Sequence, residues 1–286
     1  MSLTVEALGQ KDCDALRALL TRDVAHNLYL LGLFEEFGVV PREGRRPFTF
    51  WGRRAGGQLT AAVFVGGDGG LVVPSAVPSA GEASELTAIA EHLARRGRVH
   101  LRASVGEKDA VEVMLRHLVP NARPKTCVVQ RLFRVSADDL GPFTNPTLRL
   151  AMESDLPQLM PMAAACVKEL LGRDPAVEDP EGFGARVMQR VRGKRTYVLE
   201  VEGRLVFKID VGSRSQHGAE LEGLYTLPEE RRRGHATLSL GQICRHLLSS
   251  IPRLTLRVDE QNPSLAGVAR KVGFVAGRQQ KLVVME

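Results

Sequence analysis

The chain has 286 residues, 44% of them hydrophobic and 25% charged, with a formal net charge of +6. That length accommodates two ordinary domains, and no apolar run approaches the roughly 20 residues a membrane-spanning helix needs. Four isolated cysteines (Cys13, Cys127, Cys166, Cys244) without a C-x-x-C pair argue against disulfides or zinc, and the opening residues lack a signal-peptide pattern, so a reduced, cytoplasmic protein is expected.

In chain order, the first half opens with a strand near Leu3–Leu8 and a helical region from Asp12, with Leu16, Leu19 and Leu20 on one face. Strands are expected at Phe48–Arg53, Leu59–Val65 and Gly70–Val73, because β-branched and aromatic residues there are broken by glycine pairs. The run Gly66–Gly70 fits a glycine-rich hairpin turn, not G-x-G-x-x-G. A helix at Glu82–Arg96, a strand at Val99–Ala103, a helix at Lys108–Leu118 and a strand at Thr126–Val135 complete this half. The polar, proline-containing stretch 136–146 reads as a linker between a domain at 1–135 and another at 147–286.

The second half repeats the order. A strand at Leu148–Met152 leads to a helix near Asp155, where Asp155 caps and Pro157 sits in the first turn. A helix at Glu181–Arg192 follows, then strands at Thr196–Val201, Arg204–Val211 and Glu220–Leu227, with Gly203 as the turn between the first two. A helix at Thr237–Leu248, a strand at Arg253–Val258, a helix at Ser264–Val272 and a strand at Arg278–Val284 end the chain.

The densest functional signal lies between the third of those strands and its helix. Leu221-Glu-Gly-Leu-Tyr-Thr-Leu-Pro-Glu-Glu-Arg-Arg-Arg-Gly-His-Ala236 is a strand entering a basic, glycine-containing turn, and Thr237 follows at the helix start. Strand, turn and helix in this order point backbone N–H groups at a helix N-terminus, where the macrodipole favours an anion. Arg231, Arg232 and Arg233 add positive charge there, and arginine suits bidentate phosphate contacts. A glycine at 234 lets the backbone approach a phosphate closely. With 5% aromatic residues and no helix-turn-helix pattern, the composition argues against nucleic acid as the anion.

The pattern Arg-x-x-Gly-x-Ala (Arg231, Gly234, Ala236) resembles the pyrophosphate-binding loop of GNAT N-acetyltransferases. Three further segments resemble that family: Leu148-Arg-Leu-Ala-Met-Glu-Ser-Asp155, its opening; Leu224-Tyr-Thr-Leu-Pro228, its central strand; and Asn262 through Gly273-Phe274, its closing helix. The resemblance implies a mixed-sheet α/β fold, here a tandem pair of GNAT-like halves with the first degenerate, since the first half has no counterpart to the basic loop. Asp23–Leu33, Glu169–Pro175, Arg195-Thr-Tyr-Val198 and Val206-Phe-Lys-Ile209 resemble a bacterial group of two-domain GNAT proteins.

The resemblance implies that acetyl-coenzyme A, without a metal, is bound by Leu224, Thr226, Leu227, Arg231, Arg232, Arg233, Gly234, His235, Ala236, Thr237 and Asn262. The backbone N–H of His235 serves as a phosphate donor while its imidazole faces solvent. An amide near Thr226 polarises the thioester carbonyl. The acceptor is a primary amine of a small molecule or peptide, and the protein a monomer or homodimer. Glu220 and Glu222, two apart on one strand face, are the general-base candidates, with a solvated or salt-bridged strand face as the other reading. Glu169 and Asp174, in the loop before the second helix, are expected to touch the acceptor. Arg186, Arg190, Arg192, Lys194 and Arg195 form either a solvated helix face or a steering patch for an acidic substrate.

One departure matters. Many GNAT enzymes carry a tyrosine seven residues after the asparagine as general acid, and here that position is Ala269. Tyr225, Ser264 or a water takes the role, or no acid is needed, or this half binds coenzyme A without rapid turnover. A non-catalytic acyl-coenzyme A sensor and a transferase using aminoacyl-tRNA are therefore kept as alternatives to an N-acetyltransferase.

Overall fold

The computed structural model describes residues 3–42, 47–67, 70–77, 83–97 and 99–285. The expected helix start Glu82 and part of the expected turn at 66–70 (Asp68 and Gly69) lie outside them. Two compact units emerge, Met1–Gln130 with Arg278–Glu286, and Arg131–Gly277.

The first unit runs β1 (Leu3–Ala7), α1 (Cys13–Leu20), α2 (Val24–Phe37), β2 (Phe48–Ala55), β3 (Gln58–Gly66), β4 (Leu71–Pro74), α3 (Ala83–Arg96), β5 (Ala103–Glu107), α4 (Lys108–Leu118), and it shares β6 (Thr126–Val135) with the second. The second runs β7 (Arg149–Leu150), α5 (Leu156–Leu171), α6 (Pro175–Glu178), α7 (Pro180–Arg192), β8 (Thr196–Val201), β9 (Arg204–Ser215), β10 (Gly218–Thr226), α8 (His235–Leu248), β11 (Leu254–Asp259), α9 (Pro263–Val272) and the start of β12 (Val275–Val284). The repeated order read from the sequence is present, with α6 as an addition.

Each unit has a mixed sheet with helices on both faces. In the second, the order is β6-β11-β10-β9-β8-β7. Phe207, Ile209, Leu221 and Leu254 pack with α8 and α9 on one face, whereas Val198, Leu205 and Tyr225 pack with Leu159, Phe183 and Val187 of α5 and α7 on the other. In the first unit, Val63, Val65 and Val72 meet α3 and α4, and Phe50, Phe64 and Val105 meet α1 and α2.

Three elements differ from expectation. β5 begins four residues late, because Ser104 and Glu107 are buried polar residues that satisfy backbone groups: Ser104 Oγ donates to Val72 O at 2.9 Å, and Glu107 Oε2 accepts from Val77 N at 2.7 Å. Residues 278–284 of β12 belong to the first unit, where Gln280–Val284 pair antiparallel with β5 from Glu107 to Ala103. The stretch 136–146 is part of the second unit rather than a free connection. Leu140 and Phe143 pack against its core, and Gly141 N donates to Val272 O at 3.0 Å.

The motif at Asp23–Leu33 receives a structural explanation inside the first unit. Asn27 is buried and bridges Leu20 O and Ala76 N, while Asp23 Oδ2 accepts from Arg278 at 2.6 Å. Among the described residues no helix is long and apolar enough to cross a membrane.

Candidate active site

The site is built around a break in β10. Its register with β9 runs Glu222↔Asp210 and then Tyr225↔Lys208, so Gly223 and Leu224 together face Ile209 in a β-bulge. Gly223 takes φ +59°, a conformation that favours glycine. The extra residue puts Tyr225 on the α5/α7 face and leaves Leu224 on the α8/α9 side. β11 pairs with β10 only from Ala219 to Leu221. Past that point the two parallel strands part.

A cleft of about 650 Å³ opens in this gap. It is lined by Leu224, Tyr225 and Thr226 of β10, by Arg231, Arg232, Gly234 and the first turn of α8, and by α9 from Asn262. Of the eleven residues expected to hold a coenzyme, Leu227 and Arg233 do not line it. Leu227 packs with the α5/α7 core, and Arg233 is exposed and bonds Glu230 at 3.1 Å.

The ends of α7 and α9 are closed by side chains, Asp179 accepting from Gly182 N and Asn262 from Leu265 N. α8 has no such cap. It starts at Gly234 (φ +89°), with Arg232 just before it also at positive φ (+67°). The first N–H groups of a helix have no intrahelical acceptor, so those of His235, Ala236 and Thr237 are available to an anion. A Cβ added at Gly234 would meet nothing within 4 Å. Thr226 Oγ1, also on the cleft, is buried with no hydrogen-bond partner. An uncapped helix start, neighbouring cations and an orphaned hydroxyl beside an open gap fit a long phosphorylated ligand.

Arg231 is already engaged. Its Nε donates to Thr226 O at 3.0 Å, its Nη2 donates to both Glu169 oxygens at 2.7 and 3.0 Å, and its guanidinium lies over the Tyr225 ring. Glu169 therefore sits on α5 and holds the loop arginine, not in a loop as expected. Asp174 caps α6 through Ala176 N at 3.1 Å. The His235 imidazole does not face solvent: it is turned onto Glu230, with Nε2 at 3.4 Å.

Glu220 and Glu222 do share the α5/α7 face, yet neither lines the cleft and both are ion-paired. Glu220 is buried against Arg257, and Glu222 meets Arg190. Burial pushes the Glu220 carboxyl above its ordinary value; Arg257 opposes this and the Glu222 charge adds to it. Four of the five residues of the basic cluster are likewise engaged: Arg186 with Asp179, Arg190 with Glu222 and Asp210, Arg192 with Glu153, and Arg195 with Gly212 O, while Lys194 is exposed.

Ala269 is fully buried in the α8/α9 core and does not line the cleft. Tyr225 and Ser264 both line it. Burial raises the Tyr225 hydroxyl above its ordinary value, with the nearby Glu169 charge in the same direction and Arg231 opposing.

The sequence reading missed Lys208 and Asp210. Phe207, Ile209 and Val211 face the α8/α9 core, which by the period of two turns Lys208 and Asp210 the other way. Both are buried, and Lys208 Nζ donates to Asp210 Oδ2 at 2.6 Å and to Gly223 O at 2.8 Å. Thr196 Oγ1 donates to Asp210 Oδ1 at 2.7 Å. Two opposite charges at i and i+2 inside an otherwise apolar strand, Val-Phe-Lys-Ile-Asp, were the available signal.

Residues 166–274 match the family model described as acetyltransferase (GNAT) family. The match lies within the second unit. Solved structures similar in fold extend over nearly the whole chain. A GNAT-family acetyltransferase from Colwellia psychrerythraea is 13% identical, with 99% of this chain and 100% of that one covered and a TM-score of 0.55. A tandem GNAT protein from the clavulanic acid biosynthesis pathway is 14% identical, covering 99% and 98%, with a TM-score of 0.56. A GCN5-related N-acetyltransferase from Sphaerobacter thermophilus is 15% identical, covering 98% and 94%, at 0.57. No curated protein matches the chain in sequence. The bulge, the parted strands and the uncapped helix all fall inside the matched residues.

Proposed function

We propose that the GNAT domain is an acetyl-coenzyme A-dependent N-acetyltransferase acting on a primary amine. The observation that carries this is the cleft itself, where the Arg231–Ala236 turn, the orphaned Thr226 hydroxyl and the gap between β10 and β11 converge. When bound, the coenzyme supplies an activated acyl carbon and a thiolate leaving group. The first N–H groups of α8 and Arg232 would hold the pyrophosphate, and Asn262 and Ser264 would border the arm from α9. The unpaired edge of β10 offers backbone groups to that arm and to the thioester oxygen.

In transfer, the acceptor nitrogen forms a bond to the acyl carbon as the carbon–sulfur bond breaks. One proton leaves the nitrogen and one is taken up by the departing sulfur. Tyr225 or Ser264, both lining the cleft, would donate the second proton. For the first, Glu222 acts through water, because Arg190 holds its side chain off the cleft. Calorimetry with acetyl-coenzyme A, then thiol release against a panel of primary amines, tests the reading. Absence of coenzyme binding defeats it.

A second reading, a non-catalytic acyl-coenzyme A sensor, is favoured by the ion pairs at Glu220 and Glu222 and by the burial of Ala269. Tight coenzyme binding with no thiol release above the buffer rate across the panel favours it.

A further inference from the structure

We propose that Lys208 is a positioning residue that charges the backbone donor of the GNAT site; this rests on the acyl-coenzyme A reading above. The ammonium of Lys208 is buried and donates to the carbonyl of Gly223, the first residue of the bulge. That carbonyl shares one peptide unit with the N–H of Leu224, a residue lining the cleft. Among the described residues every peptide is trans, so this N–H points opposite to the carbonyl, away from Lys208 on β9 and toward the gap that β11 leaves after Leu221. A full positive charge on one end of a peptide polarises the other, because hydrogen bonds in series strengthen one another in a low dielectric. The Leu224 amide is thereby a stronger donor than an ordinary strand N–H, at the place where negative charge develops on a thioester oxygen.

The surroundings are built to keep the charge there. Asp210 neutralises Lys208 from one side, with Thr196 and Arg190 bonded to Asp210 in turn. A Cβ at Gly223 would lie 2.6 Å from Asp210 Oδ2 and 2.8 Å from Lys208 Nζ, so only glycine lets the ammonium reach the carbonyl.

The test uses the full chain and two variants. Lys208→Met removes the charge and the hydrogen bond. The double variant Lys208→Gln with Asp210→Asn keeps a neutral donor against Gly223 O without burying an unpaired charge, which covers the case in which the first variant does not fold. With ¹⁵N-leucine labelling and no coenzyme, the Leu224 amide resonance is expected to move upfield in both variants while distant leucines stay in place. With acetyl-coenzyme A ¹³C-labelled at the thioester carbonyl, the bound carbonyl stretch is expected below its aqueous value in the wild-type chain. In the double variant it returns toward that value, with affinity within about twofold, since one strengthened bond is a small part of the ground-state binding of a long coenzyme and strengthens most as charge develops. An unchanged Leu224 resonance, or an unchanged stretch with coenzyme bound, overturns the role of Lys208. Failure of the wild-type chain to bind acetyl-coenzyme A overturns the reading of the cleft instead, and is told apart by the calorimetric trace.

Discussion

Replacing Gly234 by aspartate and, separately, by asparagine isolates one charge at the start of α8. The two side chains have nearly the same shape, and both tolerate the left-handed conformation that φ +89° requires. No protein atom lies within 4 Å of the added Cβ, so the fold meets the substitution only as backbone strain of about 1–2 kcal/mol. That corresponds to a melting point lowered by roughly 2–8 °C in both variants. A bound pyrophosphate meets something different. At about 5 Å, one added negative charge facing one phosphate charge costs about 1 to 3 kcal/mol as the effective dielectric runs from that of water to that of a protein surface. The aspartate variant is therefore expected to bind acetyl-coenzyme A between about 5-fold and 160-fold more weakly than the asparagine variant, at matched stability. Titration calorimetry at low salt measures this directly, and raising the salt should shrink the difference. Equal affinities for the two variants would mean that no anion sits beside Gly234, and the pyrophosphate assignment would fall.

Glu169→Gln should free Arg231 from an exposed ion pair worth at most about 1 kcal/mol and tighten coenzyme binding by up to about fivefold; an unchanged or weaker affinity on titration argues that Arg231 does not turn to the ligand. Gly273→Ala places a Cβ against Asp139 O at φ +117°, so it should destabilise by about 2–5 kcal/mol in urea unfolding. An unshifted midpoint refutes that close packing of the 136–146 stretch. The two hydrogen bonds from Arg149 hold the Asp155 carboxyl below its usual range, with Met152 N–H assisting and burial opposing. Its stabilising contribution is thus full above the unfolded value of about 4 and lost as pH falls through the folded one. Asp155→Asn should flatten the dependence of stability on pH in that acid range, followed by circular dichroism, and a parallel curve counts against the pair.

The elements carried by apolar periodicity and by chain punctuation were legible. The β8–β9 hairpin is an example: Glu202 and Gly203 both take positive φ, and Val201 pairs with Arg204 as the expected turn requires. That most of the basic loop borders one cleft was also readable, because Gly234 at positive φ and its neighbouring arginines stand between β10 and the start of α8. What was not legible depended on partners distant in sequence. Ser104 and Glu107 extend β5 with buried polar groups whose acceptors and donors lie in other elements. The pairing of Glu220 with Arg257 and of Glu222 with Arg190 turns two base candidates into ion pairs, and no spacing rule announces it. The bulge at Gly223 could not be read either, since it exists only in the register of β10 against the neighbouring strand.

The placement of residues 278–284 beside β5 has a bearing on how the polypeptide is made. A domain normally becomes foldable once its last strand has left the ribosome, and N-terminal domains fold first. Here the first unit waits for the final segment of β12, while Arg131–Val135, made long before, serve the second. Cutting the gene at its midpoint therefore yields two fragments that each lack an edge strand. A fragment of residues 1–130 would expose the backbone edge of β5, an invitation to pairing with other chains. Supplying the final strand by circular permutation, joined ahead of residue 3, is the route to an independently folding first unit.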